Sequence, residues 1–184
     1  MLPRPPLLIL PLLLLLAVPA SAVVHVTGDG SGNTTAPADD PGFANVGVSG
    51  NGLSGVYLGD RWVLSAHHVG EQGFTFAGAF YPVVPGSRIQ LETSPGVGAD
   101  LELVRIVGTP PLPEPVLSSG SPQVGETVTM IGNGWNRQAT RTCWDSGWGE
   151  ISCPPPGPQP AFEGYEQLGS QHSLRWGRNV VTAT

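Results

Sequence analysis

Turn-forming residues break the chain from Ala44 to Val107 so often that no helical periodicity survives over a useful window. Between the breaks lie short β-prone segments: "ANVGV", "GVYL", "RWVL", "GFTF", "FYPVV", "SRIQLE" and "DLELVRIV". Gly59-Asp60 is a two-residue hairpin signal of the primed-turn kind between "GVYL" and "RWVL". "GFTF" and "FYPVV" are expected to pair across Ala77 to Ala79. The set fits a small antiparallel barrel. The whole chain holds 26 glycines and 20 prolines, yet 40% of it is hydrophobic, which suits a turn-rich β domain better than disorder.

"MLPRPPLLILPLLLLLAVPASA" reads as a secretory signal peptide over residues 1–22. Arg4 supplies the positive end, Leu7 to Val18 the apolar stretch, and Ala20-Ser21-Ala22 the small-residue cleavage site. The apolar stretch is too short to span a bilayer, so no membrane span is expected once it is removed. The expected location is secreted, periplasmic or extracellular. Residues 23–184 would remain, enough for one domain or two small barrels sharing an interface.

Residues 23–42 are polar and rich in glycine and proline, and read as a flexible lead-in. Residues 43–112 hold the candidate barrel. The proline-rich "GTPPLPEPVLSSGSPQ" reads as a surface connection, and "GETVTMIGNG" opens a second β-region that runs on to "RNVVTAT". Residues 113–184 are thus a connection and a partial second barrel. The net charge is −6, and the eight basic residues are scattered arginines, which leaves no basic patch for nucleic acid. In a secreted chain, Cys143 and Cys153 are candidates for a disulfide, not a metal site, and no cofactor is implied.

The segment "WVLSAHHVG", residues 62–70, puts two histidines behind an apolar strand. It resembles the histidine motif of the trypsin-like, chymotrypsin-fold serine proteases, where a strand of tryptophan, two aliphatics and Ser or Thr runs into Ala-Ala-His-Cys. Trp62, Val63, Leu64, Ser65 and Ala66 match; His67 falls on the second alanine, His68 on the catalytic histidine and Val69 on the cysteine. That cysteine's partner would lie near Leu53 or Ser54 and is also absent. "GADLELVRI" resembles the family's Asp-Ile-Ala-Leu-Leu segment, which implies that Asp100 is the triad carboxylate, and "VGETVTMIGNG" resembles the opening of the family's second barrel. The resemblance implies an all-β double antiparallel barrel with the first barrel complete. It implies a serine endopeptidase acting on protein or peptide substrates, with His68 as general base and Asp100 as its orienter.

The nucleophile is missing from this pattern. The family's Gly-Asp-Ser-Gly-Gly does not occur. Asp145-Ser146-Gly147 is a substitute that fails on position: it comes too soon after Asp100, and tryptophans stand where glycines would form an oxyanion hole. Ser146 is therefore set aside, and the chain is expected to be a fragment of a longer protease. Its half-built second barrel would leave unpaired strand edges and an uncovered apolar face that includes Val128, Met130, Val180 and Val181. No Lys or Arg lies between Arg4 and Arg61, so maturation by signal removal alone is expected. The alternative is a protease-like, non-catalytic secreted binding module.

Overall fold

A computed structural model describes residues 30–153 and 159–183. The expected signal peptide and residues 23–29 lie outside the described residues. Among the described residues, no helix is long and apolar enough to cross a membrane.

The described chain is all-β, and every strand pairing is antiparallel. The first sheet contains β1 (Val46–Ser49), β2 (Ser54–Gly59), β3 (Trp62–Ser65), β4 (Phe74–Phe76), β5 (Ala79–Tyr81), β6 (Ile89–Ser94) and β7 (Val97–Arg105). Their order is β5-β4-β1-β2-β3-β7-β6, one strand for each of the seven β-prone segments. The β2–β3 turn is of the primed kind, but one residue later than expected. Asp60 and Arg61 carry the positive φ angles (41° and 66°) while Gly59 pairs with Trp62. The register breaks between Tyr57 and Gly59, and Gly59 takes up the bulge at φ 102°.

A complete, closed first barrel is not formed, because no ladder joins the edge strands β5 and β6. The ends do approach. Val83 bridges Ile106, Val84 N–H donates to the Arg105 carbonyl at 2.7 Å, and Val107 N–H donates to the Pro82 carbonyl at 2.8 Å. Pro82 and Pro85 flank this bridge and have no N–H to extend it. Inside the sheet, Tyr57, Val63, Val69, Phe74, Phe76, Val104 and Ile106 form one buried cluster. Two glycines make room for it. Gly47 and Gly55 face each other across β1 and β2. A Cβ on Gly47 would lie 2.5 Å from Phe76 Cε1, and one on Gly55 2.5 Å from Phe74 Cε1.

The second region holds β8 (Thr127–Arg137), β9 (Thr142–Trp144), β10 (Glu150–Ile151), β11 (Phe162–Gly164) and β12 (Gln167–Val180). β8 and β12 form a long two-stranded ribbon, and β10-β9-β11 a small sheet clamped by the Cys143–Cys153 disulfide. Val128, Met130, Val180 and Val181 were expected on an uncovered apolar face; β8 and β12 pair with each other along this stretch. Part of the expected apolar exposure is present, with Met130 and Val180 about half exposed.

Part of the expected lead-in contacts β12. Asn33 exchanges hydrogen bonds with the Trp176 backbone, Trp176 Nε1–H donates to the Thr35 carbonyl at 2.8 Å, and Arg178 pairs with Asp39. These residues cover the free edge of β12, an edge that otherwise would present unpaired backbone groups. The ribbon is tied to the first sheet by Asn133, whose backbone N–H donates to Ser54 Oγ at 2.7 Å and whose side chain donates to the Gly52 carbonyl at 2.8 Å.

Candidate functional site

The site is built where β3 ends. Ala66 is still extended, and His67–Val69 then make a single 3-10 turn that Gly70 terminates at φ 74°. Val69 is the apolar anchor of this turn and belongs to the buried cluster. Asn51 Nδ2–H donates to the Val69 carbonyl at 3.1 Å, so a hydrogen bond ties the 49–54 loop to the turn.

The facing residues come from β7. Ser65 pairs with Glu102, so the register sets Asp100 just beyond the end of β3, beside the turn. Asp100 and Glu102 are two residues apart on a strand and share one face. Each lies beside one histidine ring. His68 Nδ1 lies 2.7 Å from Asp100 Oδ2, and His68 backbone N–H donates to Asp100 Oδ1 at 3.0 Å. His67 turns to the other carboxylate, with Nδ1 3.3 Å from Glu102 Oε2. The two sequence-expected residues, His68 and Asp100, are therefore in direct contact.

Their chemistry follows from the acceptor. A carboxylate can only accept, so His68 carries its proton on Nδ1 and leaves the Nε2 lone pair free to take a proton. Both side chains are well exposed, at 62% and 63%. The ring hydrogen bond from His68 and then its backbone N–H hold the Asp100 carboxyl below the ordinary aspartate range, against an opposing contribution from desolvation. A depressed carboxyl contributes to the folded state above its unfolded pKa, and that contribution is lost as pH falls through the lower, folded value. The Asp100 carboxyl carbon, followed by NMR, is therefore expected to titrate below an aspartate in an unstructured peptide. A midpoint at or above the peptide value would show that the His68 contact does not persist in solution.

Glu102 and Arg88 were not singled out from the sequence. Glu102 is fully buried, its Oε2 is held by Arg88 Nε, and its Oε1 has no partner. Arg88 Nη2 also donates to the His67 carbonyl and lies 3.0 Å from His67 Nδ1. With Arg88 donating to Nδ1, neutral His67 keeps its proton on Nε2. The available signal was an acid in the alternation "DLELV", at a position whose neighbours Val104 and Ile106 face the core.

Ser146 is exposed in the turn between β9 and β10, and no hydrogen bond joins it to His68 among the described residues. The adjacent carboxylate is occupied: Asp145 Oδ1 accepts from the N–H groups of Gly147 and Gly149 at 2.8 and 2.9 Å. A cavity of about 270 Å³ opens at the opposite end of β3, lined by Leu58, Gly59, Asp60, Trp62, Leu103 and Glu114; neither His68 nor Asp100 lines it. No family model matches the chain, and neither a curated protein nor a solved structure shows significant similarity to it.

Proposed function

We propose that His68 and Asp100 are the general base and its orienter in a secreted serine endopeptidase of the trypsin-like kind, built on the double antiparallel barrel of that family. The nucleophilic serine would come from outside residues 1–184. The observation that carries this reading is the double grip of Asp100 on His68, through ring Nδ1 and through backbone N–H. That grip does what a triad carboxylate must do: it fixes the tautomer, orients the ring and stabilises the imidazolium once Nε2 is protonated.

In the proposed reaction, the serine O–H proton passes to His68 Nε2 as oxygen attacks the scissile carbonyl. His68 then returns the proton to the leaving amine, and a water repeats the cycle on the acyl-enzyme. The substrate class is protein or peptide. Exposure of the pair suits this role, since a polypeptide must reach Nε2 from solvent.

The test is reaction of the natural full-length secreted protein with a fluorophosphonate, followed by peptide mapping. A covalent adduct on a serine outside residues 1–184, lost in His68→Ala, is expected. An adduct on Ser146 would overturn the assignment of the nucleophile. No adduct at all would favour the non-catalytic binding module.

A further inference from the structure

We propose that Arg88, held by the buried carboxylate of Glu102, is a positioning residue for His68. The inference rests on the reading of His68 and Asp100 as base and orienter, and adds to it the group that sets their geometry.

The crux is a single peptide unit. The bond from His67 to His68 is planar, so its carbonyl and its N–H point in fixed, opposite directions. Arg88 Nη2 donates to the carbonyl end. Asp100 Oδ1 accepts from the N–H end at 3.0 Å. Both ends of one rigid plane are thus gripped by charged side chains on the β6–β7 side of the turn. The same carboxylate that takes the N–H also takes the His68 ring. A rotation of the plane would pull the N–H off Oδ1 and move the ring off Oδ2 with it. The turn's own hydrogen bond, Gly70 N–H to the His67 carbonyl, is long at 3.3 Å and leaves Arg88 as the stronger restraint.

Glu102 explains how Arg88 is held. It lies on the face of β7 that carries Val104 and Ile106 into the core, where an aliphatic side chain would pack without desolvating a charge. A buried carboxylate with one oxygen unpartnered is a poor way to stabilise a core. It is a good way to aim a guanidinium: Nε is fixed on Glu102 Oε2, and the planar fork then directs Nη2 at the His67 carbonyl. Lysine, with one donor head, cannot hold both oxygens in that geometry.

The readout is the His68 Nδ1–H itself, observed by proton and nitrogen NMR on ¹⁵N-histidine-labelled full-length protein. It reports the His68–Asp100 contact without any turnover, so it separates failure of this proposal from failure of the protease assignment. Arg88→Lys and Arg88→Met are expected to speed exchange of that proton by about tenfold, the scale of one lost charge-assisted hydrogen bond. Arg88→Met leaves Glu102 buried and unpaired and can unfold the chain, so the double variant Arg88→Met/Glu102→Leu is the second arm. It is expected to fold, with the same loss of Nδ1–H protection. An unchanged Nδ1–H signal in the folded double variant, or full protection in Arg88→Lys, would overturn the proposal. So would failure of the double variant to fold, because Arg88 and Glu102 would then be structural.

Discussion

Asp100→Asn is expected to lower the rate of the proposed serine acylation by about 10⁴-fold, the scale on which the equivalent change acts in a Ser-His-Asp triad. An amide keeps the shape but offers His68 Nδ1 a neutral oxygen or a donor. Where the N–H₂ group faces the ring, Nδ1 becomes the acceptor and the proton moves to Nε2, the atom that has to be free. His68→Ala should lose at least as much. His67→Ala is expected to stay within about tenfold of the parent, because its ring faces Glu102 and Arg88 and is not presented to solvent beside Asp100. Its main-chain carbonyl, the part that Arg88 holds, survives truncation. Fluorophosphonate labelling rates for the three variants, with circular dichroism to confirm folding, decide the matter. Equal losses at the two histidines, or a loss confined to His67→Ala, would move the base to the wrong side of the turn and remove the assignment of His68.

The parts of this molecule that could be read from the sequence are those set by local chemistry. The β2–β3 hairpin is one, since a glycine-aspartate pair between two apolar runs restricts the chain to few turns. Its one-residue offset comes from the bulge at Gly59, which depends on pairing with Trp62 across the ladder. The contact between His68 and Asp100 was legible because strand-end positions survive as a motif. Glu102 was not, because its partner Arg88 sits 14 residues away, before another strand. The length of β12 was hidden for the same reason. "QLGSQHSLRWG" has no strand-like alternation, and it is extended because β8 pairs along one edge and residues 33–35 meet the other. Closure of the first sheet was over-read: hydrophobic alternation gives strands, but Pro82 and Pro85 decide how far a ladder runs.

Phe74→Ala is expected to destabilise the fold by about 3–5 kcal/mol, the usual cost of removing a buried aromatic ring. The ring is fully buried and packs against Phe76 at 6.1 Å between centroids. It also lies over Gly55, where an added Cβ would come within 2.5 Å of Cε1 and 2.9 Å of Cδ1. Gly55 has no positive φ, so its backbone accepts alanine and the objection to a side chain there is space alone. Gly55→Ala by itself should therefore cost about 1–3 kcal/mol through overpacking. In the Phe74→Ala background two of the three nearest atoms are gone, while Val63 Cγ1 at 2.8 Å still crowds the new methyl. The double variant should then be more stable than the two single losses added together predict, by about 1 kcal/mol or more. Urea midpoints measured at constant slope give all four corners of the cycle. Strict additivity would show that the ring does not rest on the glycine. The consequence reaches the site, because Phe74 shares its cluster with Val69, the buried end of the turn that carries His68. Loosening β4 frees that end, so Phe74→Ala should also lower the protection of the His68 Nδ1–H while the protein is still folded.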